Sequence, residues 1–394
     1  MNWQNELVIY IHELSDVSDK GDKNMRDKYN MEGKDNVEDE NSMRDESSVE
    51  DIHDDYESDS SENKSYTIED IAKELGLNKS TVSRAISGKG RVSQATRERV
   101  LSFVQQRNYT PNVMAKGLAN GKTYNLGMVF PTDERDTNAS FFRDCLKGIS
   151  EVAVSHNYDI LLMATSQHQN LTQIQRVIAK HKVDGFIISR SVEDSSVQHL
   201  LNEKKIPFVV IGPSENNGDL CVDNPNKEAS KELTEIMLMK GLRRLALFGG
   251  NRMHRVSKSR LEGFLEAHKR QGLEANPALF FANIENYQNT MKAVKQTLDI
   301  GIDGILCMDD FITNLVLRCL RENGIKIPEQ VKLASFYDSL QLEYNVPTVT
   351  SIRFNTKNLG RNACLMLLEQ LGEDLIEEPS MINYQVILRE STYN

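Results

Sequence analysis

No apolar run in the 394 residues approaches the roughly 20 that a membrane-spanning helix needs, and the chain does not open with a basic stretch followed by an apolar one. Membrane anchoring and secretion are therefore not expected, and a cytoplasmic location is. Cysteine is sparse. Cys145, Cys221, Cys307, Cys319 and Cys364 are odd in number, widely spaced and set among apolar neighbours, so neither a disulfide framework nor a zinc or redox pair is expected. They read as small buried hydrophobes in a reducing compartment. A glycine-rich phosphate loop, a His/Cys cluster at ligand spacing and a nucleophile motif are also missing. Nothing points to catalysis, a cofactor or a metal.

Charge is present but unevenly placed. The total is −11, yet residues 1–64 hold 20 Asp and Glu against 7 Lys and Arg, while residues 65–124 hold 10 Lys and Arg against 4 Asp and Glu. Beyond a short apolar patch at residues 7–11, the first segment has too few large apolar side chains to order itself, so residues 1–64 are expected to be a disordered acidic tail. The basic segment that follows has the charge of a module that grips phosphate.

The basic segment opens with YTIEDIAKELGLNKSTVSRAISGKGRVSQATRERV. Thr67 can cap a first helix with Asp70 in its first turn, and Ile68, Ile71, Ala72 and Leu75 fall at helical spacing. Gly76 breaks that helix. Asn78 can cap a second one in which Val82, Ala85 and Ile86 face inward, turning Lys79, Ser80, Arg84 and Ser87 outward. Gly88 and Gly90 let the chain leave, and Ser93 can cap a third helix with Val100, Leu101 and Val104 as its inner stripe. Two short helices about a tight turn, with a polar and basic outer face, make a helix-turn-helix.

The run from TIEDIAKELG to RVSQATRERV, followed by NYTPNVMAKGLA, resembles the DNA-binding headpiece and hinge of the LacI/GalR family of bacterial transcription regulators. The resemblance implies that the second helix enters the major groove of operator DNA. Lys79, Ser80 and Arg84 would then read bases, Arg84 being able to pair bidentately with guanine. Thr67, Asn78 and Thr81 would hold phosphates. The family's headpiece usually starts the chain, so the acidic tail is a departure. It reads either as a start placed too far upstream or as an arm that competes with DNA for the basic headpiece.

Residues 113–120 are too short to be a stable helix alone, and Gly117 costs up to about 1 kcal/mol against alanine. In the family the hinge folds only on operator DNA, where a leucine from each subunit wedges into the minor groove, and Leu118 matches that leucine. Asn112, Ala115 and Lys116 are the accompanying hinge contacts.

From residue 125 onward, short apolar runs alternate with helical periods: LGMVF, YDILLMA, DGFIIS and PFVVIG, then RRLALFGG, GILCMDD and VKLASF. This is the pattern of βαβ units in two blocks, hence two doubly wound parallel-sheet subdomains. DGFIISRS, CVDN, RLEGF, GILCMDD and TSIRF extend the resemblance to a periplasmic-binding-protein-like body. The expected divisions are a tail at 1–64, a headpiece at 65–110, a hinge helix and linker at 111–124 and a two-lobed effector-binding and dimerisation domain at 125–394.

In open α/β sheets, ligands bind beyond the carboxyl ends of the strands. That rule selects Phe141, Phe142, Arg190, Ser191, Arg260 and Asp310, with the aromatics facing a sugar ring or base and the polar groups reaching hydroxyls or ring nitrogens. Asp309, Tyr337, Ala139 and Val256 depart from what the family often has; at Tyr337 that is Asp. SFFRDCLKGIS, RVSKSRLEGF and SFYDS look most like maltose and maltodextrin regulators of Gram-positive bacteria. The expected protein is a homodimeric repressor of a palindromic operator, controlled by a small-molecule effector, a mono- or oligosaccharide, with no membrane partner. The alternative is a catabolite-control regulator answering mainly to a phosphoprotein docked on its first lobe.

A wedge at the hinge has a distinctive signature. Leu118→Ala should weaken binding to an operator duplex far more than to random-sequence DNA in a mobility-shift titration. Equal losses on both would remove the wedge.

Overall fold

The computed structural model describes residues 66–88, 90–107, 109, 117, 121–131, 140–165, 171–214, 218–284 and 286–393. The tail at 1–64 and the hinge residues Asn112, Ala115, Lys116 and Leu118 lie outside the described residues. Two compact units divide between Pro111 and Asn112.

The first unit is three helices, α1 (Ile68–Leu75), α2 (Lys79–Ser87) and α3 (Gln94–Gln106). The Asp70 N–H donates to Thr67 Oγ1 at 3.2 Å and the Thr67 N–H donates to the Asp70 carboxylate at 2.9 Å. This reciprocal capping box starts α1 by satisfying two amides that the helix leaves unpaired. Gly76 at φ +62° and Gly88 at φ +71° end α1 and α2 in left-handed backbone, which glycine adopts at no steric cost. Ser93 Oγ caps α3 at Thr96. Asn78 occupies the N-cap position of α2, but its side chain makes no capping bond, contrary to the sequence expectation.

Ile71, Ala72, Leu75, Val82, Ala85 and Val100 form the small core, with Phe103 and Val104 packed on it. Leu101, expected on the inner stripe, is 44% exposed. Phe103 takes its place, because three and four residues beyond Val100 return to the same face whereas one residue turns away by a quarter of the circle. Arg97 and Arg99 of α3 reach back to the carbonyls of Gly88 and Leu75, each at 3.2 Å. Both bonds satisfy carbonyls that helix ends leave over.

The second unit begins with β1 (Asn125–Pro131), α4 (Ser140–Ser155), β2 (Asp159–Thr165), α5 (Thr172–Ala179), β3 (Gly185–Ile188), α6 (Ser196–Lys204), β4 (Phe208–Ile211) and β5 (Leu220–Val222). It continues with α7 (Asn226–Met239), β6 (Leu245–Phe248), α8 (Arg255–Arg270), β7 (Phe280–Phe281), α9 (Tyr287–Ile300), β8 (Gly304–Cys307), α10 (Asp310–Glu322) and β9 (Lys332–Ser335). Last come α11 (Leu340–Tyr344), β10 (Thr350–Phe354), α12 (Thr356–Gln370) and β11 (Tyr384–Ile387). The first sheet has the order β2-β1-β3-β4-β5 and the second β7-β6-β8-β9-β10, with β11 on its edge. Strand for strand the two orders are the same. All pairings are parallel except that of β11 with β10. Helices cover both faces of each sheet, which is why the strands read as continuous apolar runs rather than alternating ones.

The lobes are not simply consecutive in sequence. After β10 the chain recrosses: Leu359, Ala363, Cys364 and Leu367 of α12 are buried in the core of the first lobe, against Cys145 and Ile149 of α4. It then returns to the second lobe as β11. The α4–α12 contact is backbone on backbone, since a Cβ at Gly148 would collide with the Lys357 carbonyl and one at Gly360 with the Cys145 carbonyl. Gly263 of α8 meets Lys227 of α7 in the same way in the second lobe. Four cysteines are buried as expected; Cys221 is exposed on edge strand β5. Among the described residues no helix is long and apolar enough to cross a membrane.

These contacts leave no room for a methyl group. Gly148→Ala should lower the stability of the two-lobed unit by about 1–3 kcal/mol, as overpacking does. Gly218→Ala, where an added Cβ would meet nothing, should be close to neutral. Urea unfolding of both variants makes the comparison.

Candidate functional site

Two surfaces carry the polar groups singled out by the sequence. On the first unit, Lys79, Ser80, Arg84 and Ser87 are exposed along α2 and Thr81 is half-buried, while Val82 and Ala85 on the opposite side are buried. Lys79 Nζ lies 2.6 Å from Glu69 Oε1, with both side chains more than 60% exposed. An exposed pair of this kind contributes little, so a phosphate or base can displace it. Thr67 is more committed, because its hydroxyl donates to Asp70 at 2.6 Å. Asn78 and Thr81 stand at the start of α2, where unpaired amides favour an anion.

The second surface is a cavity of about 140 Å³ between the lobes. Phe141, Phe142, Arg190, Ser191, Arg260 and Asp310 all line it. The fold brings them together because the carboxyl ends of β3, β4, β5, β6, β8 and β9 all open onto this space, at and beside the point in each sheet where strand order reverses. The mouth is fastened by backbone: Val192 forms an antiparallel bridge with His254, the Glu193 N–H donates to the Met253 carbonyl at 2.9 Å, and the Arg255 N–H to the Ser191 carbonyl at 3.3 Å. Residues 191–193 belong to the first lobe and 253–255 to the second.

Arg260, 7% exposed, is the buried cation of the cavity. Its Nε donates to Asn226 Oδ1 at 3.2 Å and its Nη1 to the Met308 carbonyl. Burial holds its guanidinium below the ordinary arginine value, and the charges of Asp309 foremost, then Asp223, offset part of that. Asp309 caps α10 by accepting from the Ile312 N–H at 2.8 Å, leaving Asp310 in the first turn. Burial, reinforced by the neighbouring Asp309 charge, pushes the Asp310 carboxyl up to about 6. Burial also pushes Asp223 up to about 6 despite bonds from the Asn224 N–H and the Asn226 amide.

Arg190 stacks over the Phe142 ring, 5.1 Å from its centroid. That contact is a cation–π pairing that also holds the ring against the cavity. Ser191 Oγ donates to the Pro213 carbonyl, so towards a ligand it can only accept. Phe141 meets Tyr337 edge-on, with ring centroids 6.1 Å apart.

Sequence reasoning missed Asp223, Asn224, Asn226 and His254 as wall residues. Asn224 is the most informative of them, because its Oδ1 is buried with no hydrogen-bond partner in the protein. An unpaired buried acceptor is costly until a donor arrives. CVDN closes a strand as SRS and MDD do, but β5 is only three residues long and carries no strand pattern of its own.

The family described as bacterial regulatory proteins, lacI family, matches residues 67–112, and the periplasmic binding protein-like domain matches residues 234–392. The regulator MalR of Streptococcus pneumoniae is 30% identical over 313 residues, covering 78% of this chain and 93% of that protein. Catabolite control protein A of Staphylococcus aureus is 27% identical over 318 residues, covering 80% and 95%. Among solved structures, the complex of the transcriptional regulator CelR with cellobiose is similar at 25% identity and a TM-score of 0.62, covering 83% of this chain and 99% of that one.

The two raised carboxyls have a consequence for stability. Folded Asp223 and Asp310 keep protons that the unfolded chain has already released above its ordinary value near 3.8. Their contribution is therefore full at low pH and is lost as pH rises through about 6. With Asp223→Asn/Asp310→Asn as reference, the stability of wild type relative to the variant should fall between pH 4.5 and pH 7 in urea unfolding series, those bounds being set by the usual carboxylate range of about 4 and the raised one. A flat difference would contradict the assignment.

Proposed function

The chain belongs to the LacI family of bacterial regulatory proteins, and on that premise we propose that it is a homodimeric repressor whose grip on a palindromic operator is set by a small sugar held between its lobes. As a family member it is a DNA-binding transcription regulator and not an enzyme. The domain roles proposed are headpiece 65–110, hinge 111–124 and effector-binding, dimer-forming body 125–394.

The observation that carries the effector reading is the cavity itself. It is closed by backbone bonds between lobes, walled by Phe141 and Phe142, and furnished with a buried Arg260, the carboxyl groups of Asp309 and Asp310 and the unpaired Asn224 Oδ1. Alternating donors and acceptors beside an aromatic face suit a sugar, whose rim is hydroxyl and whose faces are C–H. The cellobiose complex of CelR supports the same class. Ligand contacts made to both lobes at once would favour the fastened arrangement over an open one, and that differential affinity is what an allosteric effector requires.

For the operator, Lys79, Ser80 and Arg84 read bases and Asn78, Thr81 and Thr67 position phosphates, with Leu118 and its neighbours Asn112, Ala115 and Lys116 in the minor groove. Similarity to catabolite control protein A supports a second reading, in which a protein partner is the main input. Operator titrations with purified protein separate the two: a sugar alone changes operator affinity in the first, and a protein partner is required in the second.

Arg84→Ala should cost about 1–3 kcal/mol in operator affinity and relax preference at one base position, as loss of a bidentate guanine contact does. Lys79→Ala, if it also holds phosphate, should lower the slope of affinity against salt. Fluorescence anisotropy across a salt series measures both.

A further inference from the structure

The interlobe cavity has a larger neighbour. A larger groove of about 600 Å³ lies behind it, lined by Ser140, Arg143 and Lys147 of α4, by Asn355 and Thr356 at the start of α12, and by Tyr384 of β11 among others. Cavity and groove have one lining residue in common, Tyr337.

Tyr337 follows β9 in the second lobe and is only 7% exposed. It is held from both sides of the lobe junction. Its hydroxyl lies 3.1 Å from Thr356 Oγ1 on α12, and its ring meets Phe141 of α4 edge-on. On the other side it stacks on Phe354, with planes 22° apart and centroids separated by 6.3 Å. A ring packed on two aromatics and hydrogen-bonded at its tip is a fixed wall rather than a swinging side chain.

Size decides what such a wall does. A cavity of about 150 Å³ takes up a bare ring the size of benzene, whereas pockets for larger ligands run to about 300–1,000 Å³, so a space of the smaller kind has no room for a second ring. The space in front of Tyr337 is about 140 Å³ and the groove behind it about 600 Å³. We propose that Tyr337 sets the size of effector the protein accepts: it closes the cavity to one sugar ring and shuts off the groove in which further rings would lie. The proposal rests on the sugar reading of the cavity for its ligand class, and on the shared wall for its geometry.

The test uses full-length protein as wild type, Tyr337→Phe and Tyr337→Ala, titrated calorimetrically with glucose, maltose and maltotriose. Wild type and Tyr337→Phe, which both keep the ring, should bind glucose at least tenfold more tightly than maltotriose. In Tyr337→Ala that preference should disappear or reverse. The same preference in wild type and Tyr337→Ala, or wild type binding maltotriose as tightly as glucose, would overturn the proposal.

If wild type binds none of the three, the sugar reading fails, and the wall is judged by thiol labelling alone. Cys145 is buried, and its Sγ donates to the Thr356 carbonyl at 3.7 Å, beside the end of the phenol. In a Cys221→Ser background, Tyr337→Ala should speed labelling of Cys145 at least tenfold over wild type and Tyr337→Phe, with Cys307 unchanged. No acceleration, or equal acceleration at Cys307, which would report a loosened fold, counts against the wall.

Discussion

The guanidinium of Arg260 is the group around which the two-lobed unit is arranged. Taking that cation out of water costs several kcal/mol unless hydrogen bonds and opposite charge replace the water, and an excised partner would leave it stranded. Its replacements come from separate stretches of chain: the Asn226 amide where the first lobe passes into the second, the Met308 carbonyl at the end of β8, and the charges of Asp309 and Asp223. Each has to arrive in place for the charge to be tolerated. Burial in the same dry space holds the Asp223 and Asp310 carboxyls above their ordinary range, the Asp309 charge adding to the rise at Asp310 while Arg260 works against it at Asp223.

Around that centre the lobes are tied at several levels. Backbone bonds between residues 191–193 and 253–255 fasten the mouth of the cavity. Tyr337 joins the lobes on the inner side, and α12 carries second-lobe chain into the first-lobe core. The glycine contacts at Gly148 and Gly360 bring α4 and α12 so close that the hydroxyl of Thr356 and the ring of Phe141 come within reach of one phenol. Family resemblance leads one to expect an aspartate where Tyr337 stands. An aspartate side chain is shorter and charged and would neither bridge to Thr356 nor stack on Phe354, so this departure alters both the lobe junction and the shape of the space in front of it.

The helical unit follows a different economy. Its core is small, and local devices do much of the ordering: a capping box at α1, left-handed glycines at two helix ends, and arginines of α3 capping the carbonyls of Gly88 and Leu75. Because α2 needs only Val82, Ala85 and Ile86 inside, the rest of its surface is free to be polar. A reading face on α2 is thus compatible with the stability of the unit that presents it.

What the sequence settled by itself is what short-range chemistry controls. Helix starts at Thr67 and Ser93, stops at Gly76 and Gly88, the alternation of strands and helices, and the strand ends that carry Arg190, Ser191 and Asp310 are all written in neighbouring residues, since caps, φ preferences and hydrophobic period act over a few positions. Leu101 lies outside the core although it neighbours Val100, because one residue along a helix turns the side chain to another face, and the regular stripe runs on through Phe103 and Val104. Only the tertiary structure decided that α12 returns to the first lobe, that β11 runs antiparallel at the edge, that Asn224 Oδ1 is buried unpaired and that Tyr337 divides one space from another. Those facts depend on groups far apart along the chain competing for the same volume, and that competition is resolved by packing in three dimensions.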